Sequence, residues 1–225
     1  MADASGPSRI RLSTTPAPAA LAALELGDVV YLDGVVYTAR EGVYMRVIEQ
    51  GEVLPLELPR ESAANFHCSP AATQHADGSF DLGAVTATAS FRFSKWIDAW
   101  LELSGARLIL GKGGMSPEDY QRSFVPHGAI YLTTVGYGTG ALLGRGVKRV
   151  RDLYWREALG LAQAMWVIEV ENFGPFLVAS DSAGNCLFER ENAKIAAGIE
   201  QAYAGTRPAV LKRFGETDDR TDELI

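Results

Sequence analysis

Residues 94–114 read SKWIDAWLELSGARLILGKGG. Trp96, Ile97, Trp100, Leu101 and Ser104 recur at helical spacing behind Ser94, so one face of a helix is apolar. Gly105 follows, the residue type that most easily adopts the left-handed conformation ending a helix. Arg107–Leu110 is then a short apolar run that enters Gly111-Lys112-Gly113-Gly114. Helix, strand and glycine turn in direct succession are the mark of an α/β chain.

The same reading extends in both directions. Val29–Leu32 and Val35–Thr38 are β-branched and aromatic and flank Asp33-Gly34, which predicts a hairpin with a type I′ turn. Glu41–Gln50 carries Val43, Val47 and Ile48 on one face and stops at Gly51, predicting a helix. Asn65–Cys68 reads as a buried strand, Gln74–Gly83 as a hairpin connection and Val85–Ser90 as extended. Ser116-Pro117-Glu118-Asp119 is a capping-box pattern. Ala129–Val135 reads as a strand, and Gly136, Gly138 and Gly140 lead into an apolar, helical stretch. Trp166–Val170 and Phe176–Ala179 read as two strands joined by Asn172-Phe173-Gly174-Pro175. Asp181–Asn185 is a turn, and Lys194–Ala204 a closing helix. The expected fold is α/β with a mixed sheet in a single domain, covering 26–205. Residues 1–25, rich in Ala, Pro, Ser and Thr, read as an N-terminal extension. Residues 206–225 read as an acidic tail, since 215–225 holds five carboxylates against one arginine.

Composition excludes several classes. With 47% apolar and 22% charged residues among 225, the chain is an ordinary globular one, not a disordered or collagen-like one. A net charge of −7 gives no general attraction for a phosphate backbone, so nucleic acid is not expected as a partner. No apolar run is long enough to span a membrane. Ala19–Leu24 follows Arg9 and Arg11 but is preceded by Pro16 and Pro18 and stopped by Glu25, too short for a secretory signal. The expected compartment is therefore the cytoplasm. Two cysteines, Cys68 and Cys186, cannot form a disulfide scaffold or hold an iron–sulfur cluster unaided.

The residues by themselves offer scattered anion-binding candidates. The loop at 111–114 lacks the spacing of a phosphate loop, but a lysine between glycines can meet an anion where the backbone comes close. Gly136-x-Gly138-x-Gly140 is not the dinucleotide pattern, and tight strand-to-helix packing explains it better. Arg40 follows a strand directly. Arg92 stands between Phe91 and Phe93. Either arginine could be merely packed, or could use its planar fork on a carboxylate. His67, His75 and His127 have no metal-ligand spacing and read as structural, and Asp181 as a turn former.

Taken together, several segments resemble the β subunit of two-subunit class I fumarases and L(+)-tartrate dehydratases, equivalent to the C-terminal domain of single-chain class I fumarases. They are Leu26–Gly34, Tyr37-Thr38-Ala39-Arg40, Gly105–Met115, Leu159-Gly160, Met165-Trp166, Glu169-Val170, Phe173-Gly174-Pro175, and Ser180-Asp181-Ser182 with Gly184-Asn185. The matches run in order from about residue 14 to 195. The tartrate dehydratase β subunit looks nearer at Gly111–Met115 and at Phe173–Pro175. The resemblance implies a swivelling β/β/α domain that removes water reversibly from a 2-hydroxy diacid. It implies a partner α subunit whose three cysteines hold a 4Fe-4S cluster, the iron acting on the departing hydroxyl as a Lewis acid. It also implies site residues. Thr88 handles the proton, Arg92 binds a carboxylate and tunes that hydroxyl, and Arg40 and Lys112 hold substrate carboxylates.

The family pattern Gly-Pro-Thr-Thr-Ser-x-Arg-Met stands here as Thr86-Ala87-Thr88-Ala89-Ser90-Phe91-Arg92-Phe93. The family's histidine after the arginine of the hairpin is Tyr44. A glutamate of the Leu-Gly-x-x-Glu stretch is Gln163, and the histidine of Asp-Ser-His-Gly-Asn is Ala183. The charged anchors are kept while their surroundings differ, which points to a related, bulkier hydroxy acid. The alternative is a catalytically degenerate paralogue that serves as a carboxylate-binding or regulatory module. A nucleotide enzyme built on the glycine turns ranks below both.

Overall fold

The computed structural model describes residues 9–136 and 138–205; the acidic tail expected at 206–225 lies outside them. The chain divides into two units, Met1–Phe188 and Glu189–Ile225.

The first unit is built on nine strands. They are β1 (Arg9–Ser13), β2 (Val29–Thr38), β3 (Ala64–Phe66), β4 (Cys68–Gln74), β5 (Phe80–Ala87), β6 (Leu108–Gly111), β7 (Ile130–Thr134), β8 (Val147–Tyr154) and β9 (Met165–Ser180). Seven form one mixed sheet in the order β1-β2-β3-β6-β7-β9-β8, and β2 also pairs with β9. That second pairing closes β2, β3, β6, β7 and β9 into a barrel-like core. β4 and β5 form a separate hairpin turned at Asp77-Gly78. Of the stretch 1–25, the part from Arg9 onward supplies β1, parallel to β2, and a short helix α1 (Pro18–Ala22).

The sheet obeys the two-residue period of a strand. Leu108, Leu110, Ile130, Leu132, Val36 and Phe66 point into the barrel, while Ile109, Tyr131 and Tyr37 point outward under the helices. The covering helices are α2 (Glu41–Tyr44), continued by a π-turn over Met45–Glu49, and α3 (Ser94–Ser104). α3 buries Trp96, Ile97, Trp100, Leu101 and Ser104, the face its spacing predicts, and ends on Gly105 at φ +62°. Trp100 is fully buried edge-on to Tyr44, ring centres 4.8 Å apart; truncating such a side chain costs about 3–5 kcal/mol. Ser116 caps α4 (Pro117–Asp119) by accepting the Asp119 amide at 3.1 Å. A π-turn over Tyr120–Phe124 and α5 (Val125–His127) complete that helix.

Three local expectations are overturned. Asp33-Gly34 is not a hairpin turn, because β2 runs through it as one strand. The Asp33 carboxylate is committed to Arg11 and to the Asn172 amide at 2.7 Å. Gly34, at φ +127°, lets the strand irregularity pass over Thr14, whose Oγ1 would lie 2.3 Å from an added Cβ. Likewise Asn172–Pro175 does not separate two strands. β9 is continuous, with β2 along one edge and β8 then β7 along the other. The apolar stretch after Gly140 is helical only in α6 (Thr139–Gly144); it then becomes β8. β8 is an edge strand whose charged side chains pair with neighbours, as Arg149 does with Glu169 and Arg151 with Glu61, which suits an unpaired edge. α7 (Arg156–Gln163) follows it. α8 (Leu187–Tyr203) carries the chain into the second unit, where Ile195 and Ile199 stand exposed one turn apart.

Candidate functional site

Arg40 leaves the end of β2 and opens α2. Its Nη1 donates to Ser69 Oγ and, at 2.9 Å, to the Ala162 carbonyl. Ser69 Oγ donates to that same carbonyl at 2.9 Å. The Nε of Arg40 is buried and meets no hydrogen-bond partner, and a buried donor left over in this way suits an incoming acceptor. Burial pulls the Arg40 pKa down, and the positive charge of Arg92 acts in the same direction. Bringing two guanidinium charges within reach of each other favours an anion between them.

Strands β4 and β5 set Cys68 opposite Ala87 and Ser69 opposite Thr86, so the hairpin base carries the chain from Arg40 to the 86–93 motif. The motif is then stitched to the glycine loop. The Thr88 amide donates to the His67 carbonyl at 2.7 Å, the Lys112 amide to the Thr88 carbonyl at 3.2 Å, and the Ser90 amide to the Lys112 carbonyl at 3.1 Å. Ala89 and Lys112 form a parallel bridge. A tight turn over Ser90–Phe93 buries Ser90 and Phe93 and leaves Phe91 and Arg92 exposed. Thr88 is half-buried, and Lys112 is exposed. Among the described residues no hydrogen bond joins the Thr88 hydroxyl to Arg92. Thr88 and Lys112 are thus joined through the backbone, while Arg92 lies within electrostatic reach of Arg40.

Beside Lys112 opens a cleft of about 630 Å³ lined by Val85, Thr86, Ala87, Thr134, Thr139 and Leu143, among others. Its wall is α6 packed on the hairpin. A Cβ on Gly140 would lie 3.2 Å from Thr86 Oγ1, and one on Gly144 only 1.9 Å from the Gly83 carbonyl oxygen. Close packing accounts for these two glycines.

Under the motif lies a buried polar network that the sequence reading missed. Ser90 Oγ is 2.7 Å from His67 Nδ1 and accepts the Tyr131 hydroxyl at 2.6 Å. On its other side His67 Nε2 lies 2.6 Å from Tyr44 Oη, which also accepts Asn65 Nδ2 at 2.8 Å. His67 is wholly buried, and burial, helped by the Arg40 charge, lowers its pKa to about 3. Its ring is therefore neutral. The tyrosine that replaces the family's histidine thus contacts a second histidine. Gln163 accepts the Gly42 amide at 2.9 Å through Oε1. The backbone of Ala183 accepts Gln121 Nε2 at 3.0 Å.

The remaining candidates are structural. Asp181 takes the amides of Ala183 and Asn185 at 3.0 Å and forms the turn. His75 pairs with Asp81 at 2.8 Å and His127 with Asp98 at 3.6 Å. Cys68 and Cys186 are free, buried and in separate apolar clusters. Burial holds the Cys68 thiol well above its ordinary range, against the opposing pull of Arg40. Among the described residues no three His, Cys, Asp or Glu side chains gather as a metal site, and no helix is long and apolar enough to cross a membrane.

Comparison with known proteins gives the family. The model of the fumarase C-terminus family matches residues 2–191. A Methanocaldococcus jannaschii protein named provisionally as an L(+)-tartrate dehydratase subunit beta is 37% identical over 175 residues, 76% of this chain and 87% of that protein. The L(+)-tartrate dehydratase subunit beta of Escherichia coli K12 is 32% identical over 188 residues, 82% of this chain and 89% of that one. A Geobacillus stearothermophilus protein provisionally named a class I fumarate hydratase is 29% identical over 189 residues, which are 83% of this chain but 35% of that longer protein. A family match along most of the chain, two β-subunit relatives of similar extent and a longer fumarase-type relative agree with one another, and the chain belongs to the fumarase C-terminus family.

Proposed function

We propose that this chain is the β subunit of an iron–sulfur-dependent hydro-lyase. It removes water reversibly from a 2-hydroxy diacid of the malate or tartrate type, in a heteromeric pair with a cluster-bearing α subunit. The names of the relatives support the reaction class and the subunit role. The observation that carries the reading is the joining of Thr88 and Ser90 to Lys112 by one short run of backbone bonds, two residues before Arg92, whose charge is felt by Arg40.

The residues of this chain do not fit a 4Fe-4S cluster. Both cysteines are buried in different apolar clusters, and the partner must provide the ligands. This chain's part is to bind and orient. Arg40 and Lys112 hold substrate carboxylates. Arg92 holds one as well and, by its positive charge, favours the ionised form of a neighbouring hydroxyl. Thr88 handles the proton of the carbon next to the hydroxyl-bearing one. The cleft beside Lys112, with Val85, Ala87 and Leu143 in its wall, favours a substrate with more hydrocarbon than tartrate.

Anaerobic co-expression with a three-cysteine α subunit tests this. The pair should carry a cluster and dehydrate a hydroxy diacid, and Arg92→Ala should abolish most of that activity. A pair that holds a cluster but acts on no diacid, while the lone chain is still stabilised by dicarboxylates, would identify a carboxylate-binding module instead.

A further inference from the structure

We propose that His67 is a positioning residue, which through Ser90 fixes the Thr88 loop against Lys112. It thereby sets the spacing between the proton-handling hydroxyl and a carboxylate anchor. This rests on the dehydratase reading above.

His67 holds the loop at two places. Its carbonyl takes the Thr88 amide at 2.7 Å, and its ring Nδ1 meets Ser90 Oγ at 2.7 Å. Between those two points lie the bonds that tie the loop to Lys112, Lys112 amide to Thr88 carbonyl and Ser90 amide to Lys112 carbonyl. The ring itself cannot shift. Tyr44 closes its far nitrogen at 2.6 Å, and Phe93 packs edge-on against it with ring centres 4.7 Å apart. Tyr131 locks Ser90 from a third strand. The space is filled so tightly that a Cβ on Gly111 would stand 2.0 Å from Ser90 Oγ and 2.6 Å from the Tyr131 oxygen. A wholly buried, fully engaged ring in that place has no route to substrate. It can act only through the loop, and a small displacement of a reacting group is costly to rate.

The two ring nitrogens make the idea testable by a matched pair of variants. The amide of Asn reaches the position of Nδ1, whereas that of Gln reaches that of Nε2. His67→Asn therefore keeps the link to Ser90 and loses Tyr44, and His67→Gln does the reverse. A ring that merely fills the core predicts equal effects. Amide hydrogen exchange is measured on the full chain, and kcat and KM on the co-expressed pair. In His67→Gln the amides of Thr88, Ser90 and Lys112 should exchange at least about tenfold faster than in His67→Asn, with other core amides alike in both. The kcat of the Gln variant should fall roughly tenfold or more below that of the Asn variant. The proposal is overturned if the three amides respond equally to both substitutions. It is also overturned if they separate while kcat and KM do not. If they separate but the wild-type pair dehydrates no diacid, the dehydratase reading falls, and the anchoring of the loop by His67 stands.

Discussion

His67 Nδ1 and Ser90 Oγ meet at 2.7 Å in a fully buried pocket, where His67 precedes the first strand of the β4–β5 hairpin and Ser90 follows its second. The loop between Thr88 and Arg92 is thus anchored from below through Ser90, while Phe91 and Arg92 stay exposed.

This burial makes stability depend on pH. His67 is neutral in the native state down to about 3, against an ordinary value of 6.5. Between those values the unfolded chain binds a proton at this position and the folded chain does not. Stability due to the neutral ring is complete above pH 6.5 and is lost as pH falls toward 3. The slope from one such group approaches about 1.4 kcal/mol per pH unit. Urea unfolding across that window should give a shallower slope for His67→Asn than for wild type. Equal slopes would mean that the ring is accessible to protons.

The glycine loop should respond unevenly to alanine. Gly111→Ala drives a methyl group into Ser90 and Tyr131, which should cost roughly 3 kcal/mol or more through overpacking and broken hydrogen bonds. Gly113, at φ +78°, has open space around its Cβ position. Gly113→Ala should cost only about 1 kcal/mol of backbone strain. Chemical denaturation of the two variants measures the difference.

The Arg92 residue is exposed, and its side chain makes no hydrogen bond to the protein among the described residues. Arg92→Ala should therefore leave the unfolding free energy within about 0.5 kcal/mol of wild type. Diacid binding should weaken by roughly ten- to a hundredfold, the range for one charge-assisted hydrogen bond. Calorimetric titration of the lone chain, paired with a melting curve, separates the two effects.

Asp33 should behave as an interior strand residue. Asp33→Ala removes the acceptor for Arg11 and for the Asn172 amide, and should lower the urea midpoint. Asp33→Asn keeps an oxygen for Asn172 and should lose less. Part of the loss in either variant should disappear in high salt, because the Arg11 pair is open to solvent. A midpoint unmoved by Asp33→Ala would argue that residues 33 and 34 form a free turn after all.

That residue also shows where the sequence could be read and where it could not. The run from Ser94 to Gly111 is decided by near neighbours, so its helix, stop and strand are legible from spacing alone. Asp33-Gly34 carries the local marks of a turn, but its conformation is set by Arg11 and Asn172, from β1 and β9. Asn172–Pro175 is kept within β9 in the same way, by pairing with β2, although Asn172 itself is left-handed at φ +51°. The cations of the candidate site were visible because arginine and lysine stand beside strand ends and glycines. The network below them was not. Tyr44, His67, Ser90 and Tyr131 come from four separate elements, and nothing in their spacing says that they converge. In the sequence Tyr44 reads only as a tyrosine where the resemblance expects a histidine, and its hydroxyl contact with His67 emerges only in the fold.

β9 has a consequence for how the protein is made. The last strand of the sheet borders β2, β7 and β8, so the barrel has an open seam until residues 165–180 have left the ribosome. During synthesis β2, β3, β6 and β7 can assemble only as an unfinished sheet with exposed edges. Such late, long-range closure is slow and leaves the growing chain dependent on protection from aggregation. A nascent chain cut short before Met165 should be captured by chaperones, whereas one extended past Ser180 should be released.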